Sequence, residues 1–272
     1  MNIGAQVVDA LRVDAIRRRL SPGTMWRGIC LFGEVASTNQ MLACLARSGA
    51  GEGTVVLADA QREARGRLGQ PWFSPPGVNL YVSALFRDCL SPADAPLFSF
   101  IASLAVADAV RELGQTPAIK WPNDVLLGRK KVAGALVECA IRGDAVDYLV
   151  VGVGVNVNVS PESLRAALGP AGAFASSLAV ALGRPVDRNA LAASYLAALE
   201  MWAHVFRQEG AAPVLAAWRD RDILTGRHVE AVGRDERFDG RVLGVDLSGH
   251  LVIKLLSGEA REVLNEQIRT LD

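Results

Sequence analysis

Ala118-Ile119-Lys120-Trp121-Pro122-Asn123-Asp124 is followed, after residues 125–129, by Lys130-Lys131-Val132-Ala133-Gly134-Ala135-Leu136-Val137-Glu138. This stretch carries two apolar strand candidates, 118–121 and 132–138, with turn signals at Pro122-Asn123-Asp124 and Gly128-Arg129. A third candidate, 147–159, comes next. Upstream, Val78, Leu80, Val82, Ala84 and Phe86 alternate with Asn79, Tyr81 and Ser83, the period of a strand. Residues 97–113 form a long apolar helical run closed by Gly114. Strand and helix alternate too irregularly for a doubly wound parallel sheet. The pattern predicts an α/β (α+β) fold with a mixed, mostly antiparallel sheet and flanking helices.

Outward from this centre, residues 5–20 set Val8, Leu11 and Leu20 among Asp and Arg, one amphipathic helix and too little for a multi-helix DNA-binding module. A strand over 29–34 leads through Ser37-Thr38-Asn39 into a short helix ending at Arg47, then a buried strand over 53–60 and a Gly/Arg loop over 61–72. Helical spacing of Leu191, Tyr195, Leu199 and Trp202 marks 187–206, and a second helix spans 213–221. Beyond it, short strands at 229–232, 238–245, 250–255 and 259–264 are separated by turns, as in a small SH3-like β-barrel. The expected division is a lead-in over 1–24, a catalytic-type unit over 25–221 and a β-domain over 222–272.

The 272 residues carry 29 Lys+Arg and 29 Asp+Glu, so no basic excess points to nucleic acid. At 50% hydrophobic and 21% charged, the chain can bury a sizeable core. Its apolar runs are broken well before the roughly 18 residues of a membrane helix. Arg17, Arg18 and Arg19 follow Asp9 and Asp14 and precede no apolar stretch, so no signal peptide is visible and a cytoplasmic protein is expected. Cys30, Cys44, Cys89 and Cys139 form no CxxC pair and no histidine lies near them, which favours free thiols over zinc.

Three segments carry chemistry. In Gln61-Arg62-Glu63-Ala64-Arg65-Gly66-Arg67-Leu68-Gly69-Gln70-Pro71-Trp72, two arginines flank a glycine, able to hold a phosphate or simply to form a solvated basic turn. Lys131 enters an apolar strand and needs an anionic or carbonyl partner unless it is a solvated strand-end residue. In Gly152-Val153-Gly154-Val155-Asn156-Val157-Asn158, the glycines share one face with Asn156. They clear room for a flat ligand or for close packing on a helix. Val157 replaces the third glycine of a dinucleotide fingerprint, and no GxxxxGK[ST] loop occurs.

In order and spacing, Ser37-Thr38-Asn39, Gln61…Arg65-Gly66-Arg67…Trp72-Phe73-Ser74-Pro75-Pro76-Gly77, Lys120-Trp121-Pro122-Asn123-Asp124…Lys131…Gly134…Glu138 and Gly152…Gly154…Asn156 resemble the biotin–protein ligases over residues 30–182. The resemblance implies a class II synthetase-like catalytic fold, a small C-terminal β-domain, biotin and ATP as substrates, Mg²⁺, and a biotin carboxyl carrier protein as acceptor. It implies a biotin site of Ser37, Thr38, Asn39, Gln61, Arg65, Gly66, Arg67, Lys131, Gly134 and Gly152. Trp72, Lys120, Asn123 and Asn156 fall to the nucleotide, and Lys131, Arg65, Arg67 and Asp124 to catalysis, with the metal ligands unassigned. Ser37 could alternatively cap a helix. The family pattern has glycine where this chain has Ala64, and often basic residues at the positions of Leu68 and Gln70. With about twenty residues ahead of the catalytic unit, no repressor domain, DNA or membrane is expected; a homodimer is compatible. The alternatives are a lipoate–protein ligase and a non-catalytic biotin-binding regulator.

Overall fold

The computed structural model describes residues 10–87, 91–233, 236–264 and 266–271. Seven strands form the main sheet: β1 (Gly28–Val35), β2 (Thr54–Gln61), β3 (Leu80–Phe86), β4 (Pro117–Lys120), β5 (Asp124–Leu127), β6 (Lys130–Arg142) and β7 (Ala145–Val155). Their order is β1-β2-β3-β7-β6-β5-β4. Only β1 and β2 run parallel, and every other pair is antiparallel. The mixed, mostly antiparallel sheet is therefore as the strand spacing predicts. β5 is an addition: residues 124–127, read as connection, pair with both β4 and β6.

Helices cover both faces. α1 (Val13–Arg17) is much shorter than the predicted 5–20, and residues 5–9 of that expectation, like Cys89, lie outside the described residues. α2 (Thr38–Arg47) lies on one face of the sheet. On the other, α3 (Leu97–Glu112) is apolar nearly all round, because the sheet buries one side and later helices bury the other. α4 (Pro161–Leu168) and α5 (Leu178–Leu182) follow β7, then α6 (Arg188–Glu209) and α7 (Ala211–Arg219) close over α3. Every residue of β3 is buried, polar alternates included, because the strand is central and covered on both faces. Tyr81 accordingly donates its hydroxyl to the Pro75 carbonyl at 2.9 Å, and Ser83 bonds to α2.

A second sheet, antiparallel throughout, comprises β8 (His228–Val232), β9 (Arg237–Val245), β10 (Leu251–Leu255), β11 (Ala260–Val263) and β12 (Gln267–Thr270) in the order β11-β10-β9-β8-β12. It is the small all-β unit expected, with β12 as a strand not foreseen. Ile119 exchanges backbone bonds with Arg221 and Ile223 (2.8 and 3.1 Å), and the Trp121 indole donates to the Gly249 carbonyl at 3.0 Å. The first ties β4 to the connection between α7 and β8, and the second ties the residue after β4 to the β9–β10 turn. Among the described residues no helix is long and apolar enough to cross a membrane.

Candidate active site

A cavity of about 1270 Å³ opens over the α2 side of β6 and β7, and all fifteen residues singled out from the sequence line it. One end is neutral and polar. Thr38 begins α2, and its backbone N–H and hydroxyl both reach Gln61 Oε1 at the end of β2 (2.8 and 3.1 Å). Asn39 donates to the Leu136 carbonyl at 3.2 Å and to Glu138 at 2.7 Å. Ser37 holds the N-cap position, yet its side chain makes no capping bond, so the capping role is not the one it plays.

The middle is cationic. Lys131 Nζ lies 2.5 Å from Asp124 Oδ1 and 5.1 Å from the centre of the Trp72 ring. Gly134 makes this possible: a Cβ there would sit 3.2–3.4 Å from the Lys131 stem and the Trp72 ring. Lys120 donates to the Ile268 carbonyl at 2.9 Å; burial lowers its pKa, Lys131 adds to the fall and Asp124 opposes it. Burial likewise depresses the Arg67 pKa against the pull of Asp124 and Glu266. Arg67 stacks 5.3 Å from the Trp121 ring and donates to the Leu264 carbonyl at 3.3 Å. Arg65 is exposed at the mouth.

The arginine loop is pinned as a narrow hairpin. Gly66 N–H donates to the Gln70 carbonyl at 2.7 Å and Trp72 N–H to the Ala64 carbonyl at 2.9 Å. Its tip is a 3₁₀ turn, Arg67–Gly69. Leu68 is, among the described residues, the one non-glycine at positive φ (56°). That conformation costs a leucine about 1–2 kcal/mol, and the side chain is left exposed. Ala64 lies outside that region.

Of the two readings of the glycine face, close packing on a helix describes Gly152: a Cβ there would strike the amide of Asn39 on α2, and one at Gly154 the Trp72 indole. The glycines admit protein side chains, and the Trp72 Nε1–H so placed is buried without a partner. Asn123 and Asn156 are each anchored through one amide N–H. Asn123 Nδ2 donates to the Ala135 carbonyl, and Asn156 Nδ2 to Ser176 at 3.0 Å. Both residues line the cavity, and each spends one of its two amide N–H donors on a backbone carbonyl, which leaves one N–H and the amide oxygen for a ligand.

The sequence reading missed the far wall. Glu266, Ile268 and Arg269 of the β12 segment, Arg227, and Leu164, Ala171 and Phe174 around α4 also line the cavity. α4 had a visible signal: Ser160-Pro161-Glu162-Ser163 carries a capping serine that accepts from the Ser163 N–H at 3.2 Å, with proline at the first turn. β12 is only four residues long and had none.

The chain matches the model of the biotin/lipoate A/B protein ligase family over residues 32–156. It is 34% identical over 249 residues to the bifunctional ligase/repressor BirA of Escherichia coli, covering 91% of this chain and 74% of that one. The biotin–[acetyl-CoA-carboxylase] ligase of Mycobacterium tuberculosis is 33% identical over 251 residues, covering 86% and 89%. In structure, the biotin protein ligase of Aquifex aeolicus in complex with biotin and ATP aligns with a TM-score of 0.74 at 27% identity, over 90% of this chain and 99% of that one. A cavity with a polar end and a cationic middle, on this sheet and with these relatives, makes the chain a member of the biotin protein ligases within the biotin/lipoate A/B protein ligase family.

Proposed function

We propose that the protein joins biotin to ATP and passes the biotinyl group to a lysine of a biotin carboxyl carrier domain of acetyl-CoA carboxylase. In the first step a biotin carboxylate oxygen attacks the α-phosphorus, the bond from that phosphorus to the bridging oxygen of the β-phosphate breaks, and pyrophosphate leaves. Biotinyl-5′-adenylate remains. In the second step the neutral carrier amine attacks the acyl carbon, the bond to the phosphate oxygen breaks, AMP leaves and the amine gives up a proton. The observation that carries this reading is Lys131, held 2.5 Å from Asp124 between the polar end and the Lys120–Arg67 region.

Each residue has a task in it. Thr38, Asn39 and Gln61 supply donors and acceptors for the cyclic urea, with Ser37 beside them. Gly134 and Gly152 let Lys131 and Asn39 lie close to the sheet. Arg65 and Arg67, around Gly66, hold the two anions in line, and Lys131 takes the charge that develops between carboxylate and α-phosphate. Asp124 aims the Lys131 ammonium. Lys120 offers a cation to the triphosphate, Trp72 shields the site from water, and Asn123 and Asn156 shape the adenine end. Mg²⁺ fits the donor set: Asp124 and Glu266 are carboxylates in the cavity wall, and Mg²⁺ binds by one or two carboxylates plus substrate phosphates. Bound there, it would neutralise phosphate charge.

A polar end of amides and hydroxyls suits a urea and has little to offer a dithiolane, which sets the lipoate reading second. We further read the protein as cytoplasmic, where ATP is supplied. Pyrophosphate release with biotin and ATP, compared with lipoate and ATP, is the test. Biotin-dependent release followed by labelling of a carrier lysine is expected; release with lipoate alone, or with neither, refutes the assignment.

A further inference from the structure

Five side chains run as one hydrogen-bonded file from outside the cavity to its wall. Glu138 Oε2 accepts from Asn39 Nδ2 at 2.7 Å, and the Leu136 carbonyl accepts from the same nitrogen at 3.2 Å. Both partners only accept, so Asn39 must turn its nitrogen toward β6 and its oxygen away. That oxygen lies 2.6 Å from Ser83 Oγ, which lies 2.8 Å from Thr38 Oγ1, which lies 3.1 Å from Gln61 Oε1. Gln61 is fixed as well: its oxygen accepts the Thr38 backbone N–H at 2.8 Å, and its nitrogen donates to Ser74 Oγ at 3.2 Å.

The file has an accepting oxygen at each end and two hydroxyls between. Three oxygen–oxygen contacts must share two protons. With the Ser83 proton held on Asn39 across the shortest contact, the single Thr38 proton goes to Ser83 or to Gln61, and in either arrangement Thr38 has none left for the cavity. Ser83 is wholly buried, whereas Thr38 lines the cavity and keeps its lone pairs for what enters. What those lone pairs call for is an N–H brought by the ligand.

We infer that Glu138 sets this polarity as a positioning residue. Through Asn39 and Ser83 it keeps Thr38 an acceptor, and so selects a ligand whose head presents an N–H donor. The inference rests on the proposed biotin reaction: a cyclic urea has such N–H groups and a dithiolane has none. Without the carboxylate, only the longer 3.2 Å bond to the Leu136 carbonyl still holds the Asn39 nitrogen toward β6, and the amide gains the freedom to rotate and donate to Ser83. Ser83 then donates to Thr38, and the file closes on itself with a proton in every contact. Glu138 is exposed, in a cleft of about 480 Å³ shared with Arg47 and Tyr148, so replacing it disturbs no core.

The test compares the wild-type protein with Glu138→Ala and Glu138→Gln. Biotin KM, ATP KM and kcat are read from pyrophosphate release, and the Asn39 side-chain amide by NMR of the free protein. Glu138→Ala should raise biotin KM about ten-fold, leave ATP KM, kcat and Tm near wild type, and shift the Asn39 amide signals. Glu138→Gln, whose Oε1 still accepts from Asn39, should recover most of the biotin KM. A role in packing alone would lower Tm instead. An unchanged biotin KM in Glu138→Ala, or an unmoved Asn39 amide, overturns the inference while leaving the ligase reading standing. A wild-type protein that does not turn over biotin overturns that reading and this selectivity with it.

Discussion

Replacing Lys131 by methionine removes the ammonium 2.5 Å from Asp124 and keeps an unbranched stem over Gly134 and Trp72. Two costs must be separated. For folding, the Lys131 and Asp124 side chains are 35% and 27% exposed, so water screens their pairing. The loss should be about 1 kcal/mol, a fall in Tm of about 2–4 °C. For the reaction, one preorganised donor aimed at developing charge is worth about 2.7–4 kcal/mol, or about 100–1000-fold in rate. Even with total stability near 5 kcal/mol, losing about 1 kcal/mol leaves almost every molecule folded. A rate deficit of that size is then chemistry. Single-turnover formation of biotinyl-adenylate, with Tm measured on the same preparation, reads both. A folded Lys131→Met protein whose rate stays within about threefold of wild type, well under the loss expected of one donor, would show that the ammonium does not act on the transition state.

Three further outcomes follow from the same geometry. Asn156→Leu leaves the Ser176 carbonyl without its 3.0 Å donor, a loss of about 1–3 kcal/mol; calorimetry should show ATP weakened more than biotin, and equal effects would mean a general packing defect. Ala64→Gly should leave biotin affinity unchanged or slightly weaker, because Ala64 is not in the left-handed region and glycine adds only unfolded-state freedom of about 0.4–1 kcal/mol; several-fold tighter binding would reveal strain at Ala64. Lys120→Met should raise ATP KM and flatten a pH slope. With the Lys120 pKa lowered by burial, the folded chain binds fewer protons than the unfolded chain in the window below 10.5, so stability rises with pH there. Urea unfolding across that window checks it, and an identical slope in the variant rules Lys120 out as the source.

The sheet was legible because its strands are separated by turn chemistry that needs no tertiary context, as at Pro122-Asn123-Asp124. β5 escaped notice because Val125-Leu126-Leu127 is too short to carry a period, and only its neighbours β4 and β6 make it a strand. The polar residues of the site were legible by type and order, but their partners were not. Nothing in Gly152 or Gly154 says whether the space they clear belongs to a ligand or to Asn39 and Trp72, since both need the same missing Cβ. The partners of the Asn123 and Asn156 amides were hidden for a related reason. An amide near a cavity can face inward or bond to a strand carbonyl, and the choice is made by Ala135 and Ser176, distant in the chain. Leu68 gave no signal, because positive φ is ordinarily marked by glycine.

The least legible part of the site, the C-terminal sheet, bears on the chemistry through what it holds. Lys120 donates to Ile268 and Arg67 to Leu264, so two of the cations around the cavity are tied to backbone carbonyls of that sheet or its loops. Trp121, over which Arg67 stacks, is tied to Gly249 as well. Ile119, next to Lys120, pairs with the chain where it leaves α7 for the sheet. A carbonyl is a neutral partner: it steadies an ammonium or guanidinium without cancelling its charge, whereas a carboxylate would compete with the incoming phosphates. In the proposed reaction Lys131 is aimed by an anion, Asp124. Lys120 is steadied by the Ile268 carbonyl and Arg67 by the Leu264 carbonyl and the Trp121 ring, with Asp124 and Glu266 also bearing on Arg67. The small sheet is thus part of the electrostatic construction of the site, and shifting β12 would move the Lys120 ammonium without replacing any residue of the main sheet.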